Sequence, residues 1–309
     1  MARNNLTLLI LGGCGFIGRE ISKRLSSSGH EVIVVCRSNP ALREANIKYV
    51  VADLTNIADL KEKISNIGFV DILINCSGNI NHSKDNSAII DIVNNHFMII
   101  PIILSVLDTN KLKKIIQIGT SDEYIDSEDT VSELTPLEPK SLYSISKYIS
   151  GEYLRLFSKI SNISCILIRP FIVFGPGQKS DRLIPSIINS FLYSTRLHIR
   201  NPNDIRDFLY ISDFADAIEK IIYADASSFS VNIGSGEGVR LLELVDTIKR
   251  IVDPYGSKEL ITFSGNTKSK ISRKVANINK AKKLLNWEPK TKLDKGIKST
   301  FLDMRKEIC

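Results

Sequence analysis

A tyrosine and a lysine four residues apart, Tyr143 and Lys147, are the first residues of this chain whose types and spacing suggest chemistry. In a helix, positions i and i+4 lie on one face, so the ammonium would lie beside the phenol hydroxyl. An adjacent cation stabilises the phenolate and lowers a tyrosine pKa from its usual value of about 10. Such a pair can pass a proton to or from a carbinol or carbonyl oxygen near neutral pH. The same spacing also occurs by chance on solvated helix faces.

The segment that holds this pair is predicted to be a helix that follows a proline-containing loop. Pro136 and Pro139 precede it, and Ser141 is a candidate N-cap because a serine hydroxyl can accept a bond from a free N–H group of the first turn. Elsewhere, apolar strand-like runs alternate with helix-like ones, which predicts βαβ units and a parallel sheet. The strand-like runs are 6–11, 31–36, 47–51, 70–75, 114–119 and 164–169.

A glycine-rich turn directly follows the first apolar run, Leu6–Leu11, and precedes a helix-like segment, Arg19–Leu25. Glycine lets the backbone turn tightly and approach a pyrophosphate, which binds the free N–H groups at a helix start. The spacing is GxxGxxG and not the commoner GxGxxG, and the alternative interpretation is a random cluster of glycines. We expect a dinucleotide to contact Gly12, Gly15, Phe16, Ile17 and Gly18.

Together, the glycine turn and the YxxxK segment resemble the short-chain dehydrogenase/reductase superfamily. In detail the chain resembles the extended branch, the NAD(P)-dependent epimerase/dehydratase family that acts on nucleotide sugars. Motifs in the order of that family cover most of the chain. Besides the two named, they include Asp53-Leu54, Asn95, IIQIGTSDEY (115–124), Arg169-Pro170-Phe171 with FGPG (174–177), RDFLYISDFADAI (206–218) and KAKKLLNWEPKTKLDKGI (280–297).

The resemblance implies an α/β fold, a Rossmann-type doubly wound parallel sheet with a smaller C-terminal substrate-binding domain. We expect an NADP-binding domain over residues 1–170, with part of 205–235 returning to the sheet, and a mainly substrate-binding domain over 171–309. Within the second half, Leu183–Leu192 has a helical pattern, and RDFLYI (206–211) is predicted to be a strand.

The resemblance also implies a role for each catalytic residue. Tyr143 would donate its proton to a sugar carbonyl as hydride arrives from the nicotinamide, and Lys147 would lower the pKa of Tyr143 and bind the nicotinamide ribose. The family places a serine or threonine at the end of strand five, and counting back from Tyr124 gives Thr120, with Ser121 as its neighbour. The alternative role for both hydroxyls is capping of the strand end.

Further binding residues are implied by the same motifs. Asp53, Leu54, Asn95 and Arg169 would bind the cofactor together with Tyr143 and Lys147. Ser121 and Asp122 would contact the sugar. Arginine suits a diphosphate because its bonds are charge-assisted, so the substrate pyrophosphate would bind Arg206 and Arg273.

The end of the second strand bears on the choice of cofactor. NAD enzymes usually offer an acidic residue there to the ribose 2′-hydroxyl, whereas an arginine accommodates the 2′-phosphate of NADP. This chain has Cys36 at the acidic position and Arg37 directly after it. NADP(H) is therefore favoured over NAD(H), and the alternative is that Arg37 is a solvated loop residue.

An acidic pair near the catalytic threonine raises the question of dehydratase chemistry. Dehydratases of the family carry an Asp-Glu pair directly after this threonine for proton transfers at C5 and C6. Here Ser121 separates Thr120 from Asp122 and Glu123. In a strand this shift would point the acids to opposite faces, which argues against dehydration, and solvated loop acids are the alternative.

Composition places the chain among soluble globular proteins, with 43% hydrophobic and 24% charged residues. Five cysteines (14, 36, 76, 165 and 309) have no CxxC spacing, which argues against a disulfide framework and a zinc or other metal site and predicts a reducing cytoplasm. The net charge of +7 is concentrated at 250–309, with 15 Lys+Arg against 6 Asp+Glu. We interpret this as a solvated basic face that steers an anionic substrate, and we expect a homodimer with no nucleic-acid or membrane partner.

These observations favour an NADPH-dependent reductase of a nucleotide-linked 4-keto-6-deoxy sugar, serving deoxyhexose and surface-polysaccharide synthesis. One alternative is an NAD-dependent nucleotide-sugar 4-epimerase or dehydratase. Another is an NADP-binding sensor or scaffold without activity, against which the complete Thr120, Tyr143 and Lys147 set argues. The base, the sugar and the product stereochemistry are left open.

Overall fold

The computed structural model describes residues 5–40, 43–65, 67–78, 86–225, 227, 229–256, 259–264 and 271–306. The strands are β1 (Thr7–Leu11), β2 (Glu31–Cys36), β3 (Ile47–Val51), β4 (Ile72–Asn75), β5 (Lys114–Ile118), β6 (Ser164–Pro170), β7 (Ile172–Phe174), β8 (Leu197–Arg200), β9 (Ile205–Arg206), β10 (Phe208–Tyr210), β11 (Phe229–Ile233), β12 (Val239–Arg240), β13 (Ile261–Ser264) and β14 (Arg273–Lys274). The α-helices are α1 (Phe16–Ser27), α2 (Ile57–Ile64), α3 (Asn86–Val93), α4 (Ile99–Val106), α5 (Leu142–Ser161), α6 (Leu183–Tyr193), α7 (Ile211–Tyr223), α8 (Leu241–Val252), α9 (Asn279–Leu285) and α10 (Leu293–Lys306). A π-helical turn spans Asn94–Met98, and a 3₁₀ turn spans Ser121–Glu123.

A seven-stranded sheet in the order β11-β6-β5-β4-β1-β2-β3 positions most of the candidate site. Its strands pair in parallel, and the runs of β1, β2, β4 and β5 are almost wholly buried, as expected for strands covered by helices on both faces. Leu11 pairs with both Val35 and Asn75, so the carboxyl ends of β1, β2 and β4 lie level with one another. The predicted Rossmann-type parallel sheet is confirmed.

The core beside this sheet is built from aliphatic side chains of α2, α4 and α5 that pack on β1–β5. Leu9, Ile33, Leu60, Ile103 and Leu154 are all fully inaccessible to solvent. Each such side chain stabilises the fold by about 1.5–3 kcal/mol relative to full exposure. The strand ends that hold the candidate site are therefore anchored by a rigid apolar layer.

The described residues form two compact units, one within 1–125, 136–169 and 218–231 and the other within 126–135, 170–217 and 232–309. The second unit has its own core, which α6, α8 and α10 share, and three small sheets, β10-β7, β12-β9-β14 and β13-β8. No helix among the described residues combines the length and apolar character needed to cross a membrane.

The predicted RDFLYI strand is wrong in one respect, because it is two strands, β9 and β10, that belong to different sheets. Asp207 separates them and is turned inward. Its carboxylate accepts bonds from the backbone N–H groups of Ser235, Gly236 and Ala276 at 2.6, 2.9 and 3.1 Å. These bonds tie the segment to its neighbours at the point where a continuous strand would have passed.

Candidate active site

The Tyr143–Lys147 pair lies in the first two turns of α5, as predicted. Ser141 is the N-cap, and its hydroxyl accepts a bond from the Ser144 N–H at 3.1 Å. The Ser144 hydroxyl accepts in turn from the Ser141 N–H at 3.0 Å, which completes a capping box. The predicted cap is confirmed, and it fixes where the helix begins and hence the direction in which Tyr143 and Lys147 project.

Lys147 is buried at the carboxyl ends of two neighbouring strands. Its Nζ donates to the Ser77 carbonyl, just beyond β4, at 2.9 Å and to the Ile118 carbonyl, the last of β5, at 3.2 Å. Burial lowers the pKa of Lys147 from 10.5 to about 8, while Cys76 and Glu123 act in the opposite direction. The Lys147 amine is therefore mostly protonated at neutral pH, and two backbone oxygens hold it in place.

An imidazole packs against the candidate proton donor. His96 is completely buried, and its ring meets the Tyr143 ring edge-on with centroids 5.3 Å apart. His96 Nδ1 lies 2.7 Å from the Ser146 hydroxyl. The π-helical turn Asn94–Met98 presents this histidine, and such turns often occur at functional sites. Sequence reasoning selected the adjacent Asn95 and missed His96, since nothing local to a single histidine shows what it contacts.

Thr120 caps the 3₁₀ turn that follows β5. Its Oγ1 accepts from the Asp122 N–H at 3.2 Å, and its own N–H donates to Glu123 Oε1 at 3.0 Å. Thr120 and Ser121 are each 6% exposed. Strand-end capping, the alternative role considered for Thr120, is therefore present, and it holds the residue at the strand end where a catalytic hydroxyl is expected.

The expectation that Asp122 and Glu123 lie in a strand with their side chains on opposite faces is wrong, because both belong to the 3₁₀ turn. Asp122 is exposed, whereas Glu123 is 3% exposed and is not a solvated loop acid. Glu123 Oε2 lies 2.7 Å from Arg169 Nε. The second acid of the dehydratase-like motif, Glu123, is therefore held in an ion pair with Arg169 of β6.

Arg169 was predicted to bind the cofactor, and its surroundings favour a different role. Besides Glu123, it donates to the Tyr124 hydroxyl at 3.3 Å, and its guanidinium carbon lies 5.0 Å from the centre of that ring. The residue is 5% exposed. The structure thus joins Arg169 to the turn after β5, and these contacts give no support to the predicted cofactor contact.

The glycine turn between β1 and α1 has the shape that a dinucleotide pyrophosphate requires. Gly12 has φ +70°, and a Cβ there would lie 2.9 Å from the Ser77 backbone. At Gly18 a Cβ would lie 2.3 Å from the Gly12 oxygen, so neither position tolerates a side chain. At Gly15, the N-cap of α1, only the Gly12 oxygen lies within 4 Å of such a Cβ. The Phe16, Ile17 and Gly18 N–H groups lie in the first turn of α1, where a helix supplies no internal acceptor, so that they can bind an anion.

Three residues predicted to bind the cofactor line one pocket of about 280 Å³ in the same unit, namely Arg37, Asp53 and Asn95. The Asp53 carboxylate accepts from the Thr55 N–H and hydroxyl at 2.9 and 2.8 Å. These bonds, together with the nearby Arg37 charge, lower the pKa of Asp53. Leu54 lies apart from these polar groups and packs into the core. The glycine turn and this pocket fit a bound dinucleotide.

The two arginines predicted to clamp the substrate lie on neighbouring strands of the second unit. In the parallel pairing of β14 with β9, Lys274 is opposite Arg206 and Arg273 is opposite Ile205. Because side chains alternate along a strand, Arg206 and Arg273 point to opposite faces. Arg206 is also held by Asp204 at 3.0 Å. The structure thus brings the strands together without placing both guanidinium groups on one face.

The comparison with known families agrees with this geometry. Residues 8–234 match the family model described as the NAD dependent epimerase/dehydratase family. The match covers well over half of the chain and includes the glycine turn, the Thr120 turn and the Tyr143–Lys147 pair. The chain therefore belongs to this family of NAD(P)-dependent enzymes, and the predicted resemblance is confirmed.

Individual relatives are distant but cover almost the whole chain. A provisionally named UDP-glucose 4-epimerase of Methanocaldococcus jannaschii is 28% identical over 94% of this chain and 96% of its own length. The dTDP-4-dehydro-6-deoxyglucose reductase of Escherichia coli is 25% identical over 98% and 99%. Both names refer to nucleotide-linked sugars.

Solved structures show the same fold. The UDP-glucose 4-epimerase of Thermotoga maritima with UDP-glucose has a TM-score of 0.88 at 23% identity, covering 98% of this chain and 100% of that one. The MoeE5 protein in complex with UDP-glucose and NAD has a TM-score of 0.84 at 20% identity, with the same coverage.

Proposed function

We propose that the protein is an NADPH-dependent reductase of a nucleotide-linked 4-keto-6-deoxy sugar that serves deoxyhexose and surface-polysaccharide synthesis. The observation that carries the proposal is the end of β2. Cys36 stands where NAD enzymes usually have an acidic residue, and Arg37 lines the pocket beside Asp53 and Asn95. A guanidinium can bind a 2′-phosphate bidentately, whereas a carboxylate there would repel it. The 25% identity to a 4-keto-sugar reductase over nearly all of both chains supports the same choice.

The cofactor would be held at three places in this chain. The N–H groups at the start of α1 would bind the pyrophosphate, and Arg37 would bind the 2′-phosphate. Lys147, which already donates to Ser77 and Ile118, would bind the nicotinamide ribose. When bound, NADPH would supply the hydride that reduces the sugar carbonyl.

The residues of the chain supply the proton and the electrostatic setting. Tyr143 would donate its proton to the carbonyl oxygen as that oxygen becomes an alkoxide. The buried Lys147 ammonium would stabilise the phenolate that remains, because opposite charges interact strongly where water is excluded. The Thr120 hydroxyl would donate a hydrogen bond to the same oxygen, and Arg206 would bind the substrate diphosphate.

An NAD-dependent nucleotide-sugar 4-epimerase is the second candidate. The Methanocaldococcus jannaschii relative at 28% identity carries an epimerase name, and this observation favours it. An epimerase uses the same tyrosine and lysine but needs no external reductant, because hydride leaves and returns to the same carbon. The buried Glu123–Arg169 pair counts against the third possibility, a dehydratase, because it removes one of the two acids which that chemistry uses.

The decisive experiment incubates purified protein with 4-keto-6-deoxyhexoses linked to GDP, CDP, dTDP and UDP in the presence of NADPH. We expect loss of absorbance at the nicotinamide band, stoichiometric with formation of one 4-hydroxy product, for one of these bases. Protein that arrives with NAD bound, and that equilibrates UDP-glucose with UDP-galactose without consuming NADPH, would show the epimerase to be the correct alternative.

We further infer a homodimer that works in a reducing cytoplasm. Helix α5 carries an exposed apolar stripe at heptad-like spacing, Ile145, Ile149, Leu156 and Ile160, of which the last two are 59% and 76% exposed. A second copy would cover this stripe. Light scattering should give twice the 34.5 kDa chain mass, and Leu156→Glu with Ile160→Glu should give the monomer.

Among the described residues the four cysteines are free thiols, which suits a reducing compartment.

A further inference from the structure

A buried ion pair lies beneath the Thr120 turn. Arg169 Nε is 2.7 Å from Glu123 Oε2, and the two side chains are 6% and 3% exposed. Taking two charges out of water costs several kcal/mol per ion, and apolar residues of similar volume often replace such pairs without loss of stability. Stability alone is therefore a weak reason for a carboxylate at this position.

The second carboxylate oxygen of Glu123 is also committed. Oε1 accepts from the Thr120 N–H at 3.0 Å. A Cβ on Gly119 would lie 2.5 Å from this oxygen, so the residue between β5 and Thr120 makes room for the carboxylate by having no side chain. Oε1 is thus fixed against the backbone at Gly119 and Thr120, and Oε2 is fixed by the Arg169 guanidinium.

Lys147 binds the same strand end. Its Nζ donates to the Ile118 carbonyl at 3.2 Å, and Ile118 directly precedes Gly119. Two cations and one anion, Lys147, Arg169 and Glu123, therefore gather in buried surroundings at the carboxyl end of β5. Burial raises the pKa of Glu123, while Arg169, the Thr120 N–H and Lys147 act in the opposite direction, so Glu123 and Lys147 each favour the charged form of the other.

The other titratable groups that face Lys147 do not supply a negative charge at neutral pH. Cys76 is neutral because burial raises the pKa of its thiol to about 12. His96 Nε2 and Lys147 Nζ both lie close to Gly78, at 2.8 and 3.0 Å from the point that a Cβ there would occupy. An imidazole is neutral or cationic.

We propose that Glu123 is a positioning residue that fixes the Thr120 turn, through its bonds to the Thr120 N–H and to Arg169, and supplies a negative charge that stabilises the Lys147 ammonium. Without this charge, the buried Lys147 would lose an interaction that favours its charged form, and a lysine, unlike an arginine, can lose its proton. The inference rests on the proposed function in one respect, since it gives Lys147 and Thr120 their importance for turnover.

The test measures the charge state of Lys147 directly in cofactor-free protein. Lysine labelled with ¹³C at Cε reports the ammonium titration by NMR, and Lys147→Arg identifies the signal. Glu123→Gln removes the charge but keeps an amide oxygen for the Thr120 N–H. Adding Arg169→Met to it removes the opposing cation as well. We expect the Lys147 pKa to fall by about 1 pH unit in Glu123→Gln and to lie below the wild-type value in the double variant as well.

Glu152→Gln is the matched control, because Glu152 lies on the same helix and pairs with Arg155 at the surface. It should leave the Lys147 titration unchanged. If Glu123→Gln folds, with a wild-type circular dichroism spectrum, and titrates Lys147 at the wild-type pH, the electrostatic role is refuted and Glu123 is a structural residue only. If Glu123→Gln does not fold, the double variant decides, since an unchanged Lys147 titration there contradicts the proposal.

The kinetic readout separates this inference from the proposed function. In a protein active on a 4-keto sugar, Glu123→Gln should move the alkaline limb of kcat/KM to lower pH, in the same direction as the NMR titration. A protein that reduces none of the 4-keto sugars but shows the expected order of Lys147 titrations would overturn the reductase assignment and leave the role of Glu123 in place. A protein that reduces a 4-keto sugar but titrates Lys147 at the same pH in wild type and Glu123→Gln would overturn only the role of Glu123.

Discussion

His96 Nδ1 lies 2.7 Å from the Ser146 hydroxyl, and the same imidazole stands at 81° to the ring of Tyr143. Ser146 in turn donates to the Tyr143 backbone carbonyl at 2.8 Å. The candidate proton donor is thus supported on its ring by His96 and on its backbone by a serine that His96 contacts. These contacts restrict the tyrosine to one position.

His96→Leu should therefore reduce kcat by about tenfold or more, because a loosened Tyr143 ring samples positions that are out of reach of the substrate oxygen. The loss of the bond to Ser146 should lower the free energy of unfolding by about 1 kcal/mol. His96→Asn can keep a polar contact with Ser146 and should retain more activity than the leucine variant. Steady-state kinetics and thermal melts measure both effects, and a leucine variant with wild-type kcat would contradict the role of His96.

Tyr143→Phe tests the proton donor itself. Removal of the hydroxyl should lower kcat by about 10²–10⁴-fold, the usual contribution of general acid catalysis. Binding of NADPH and of the nucleoside diphosphate should stay within about twofold, since only an interaction of the transition state is lost. Tyr148→Phe, one turn further along α5, is the matched control and should retain turnover. Turnover of Tyr143→Phe within about threefold of wild type would refute the assignment.

The buried ammonium gives the activity an alkaline limit. The pKa of Lys147 is about 8 in the folded protein, so the ammonium is lost as the pH rises through this value. We expect kcat/KM to fall above about pH 8 in wild type. In Lys147→Arg the side chain stays charged, so the residual activity of this variant should show no limb at that pH. A wild-type profile that is flat to pH 10 would contradict the low pKa.

The same group links stability to pH in a direction that is unusual for a lysine. The folded pKa of about 8 is lower than the unfolded value of 10.5, so between these values the unfolded chain binds more protons. The free energy of unfolding then rises with pH across this window, by up to about 3 kcal/mol from this residue. Unfolding of wild type and Lys147→Met should be compared at pH 7.5 and 9.5. Wild type should gain stability relative to the variant at the higher pH.

How far the sequence predicts the fold depends on whether a signal is local. The six strand-like runs match six of the seven strands of the central sheet to within two residues, because a strand buried on both faces must be apolar throughout. The Ser141 cap was equally predictable, since serine and the first turn of the helix are adjacent. The Glu123–Arg169 pair was not predictable, because the partners are 46 residues apart and meet only because β5 and β6 are neighbours.

The wrong expectations about the site concern residues just beyond the end of a strand or in very short strands, where a local sequence pattern does not fix side-chain direction. Strand alternation was applied to Asp122 and Glu123, although the chain turns immediately after Gly119. The paired roles of Arg206 and Arg273 followed from motif order, whereas the register of two short strands decides which face each one occupies. Tertiary pairing sets such orientations, and a single sequence does not display it.

Lys114 is expected to be a structural lysine, in contrast to Lys147. Its Nζ, at the start of β5, donates to the carbonyls of Ile221, Ile222 and Ala224 at 2.9, 2.9 and 3.0 Å and so caps the end of α7. Lys114→Met keeps the length of the side chain but leaves these oxygens without their donor, which should cost about 2–4 kcal/mol. The control Lys113→Met removes a 68% exposed partner of Asp71 and should cost about 1 kcal/mol or less. Equal melting temperatures for the two variants would contradict the capping role.

Arg37 and Cys36 together provide the test of cofactor choice. Cys36 ends β2 with its side chain buried, and Arg37 follows it at the edge of the pocket that Asp53 also lines. Cys36→Asp with Arg37→Ala places a carboxylate where an NAD enzyme binds the ribose 2′-hydroxyl and removes the cation that would bind a 2′-phosphate.

We expect this double variant to bind NADPH at least tenfold more weakly than wild type, because a bond between a charged donor and a phosphate is lost. Binding of NADH should stay the same or improve. Fluorescence titration of the reduced nicotinamide measures both dissociation constants without a sugar substrate, and Arg43→Ala, a neighbouring arginine that stacks on Tyr49, is the control. Wild-type protein that binds NADH more tightly than NADPH would overturn the NADP preference and, with it, the argument that favours a reductase over an epimerase.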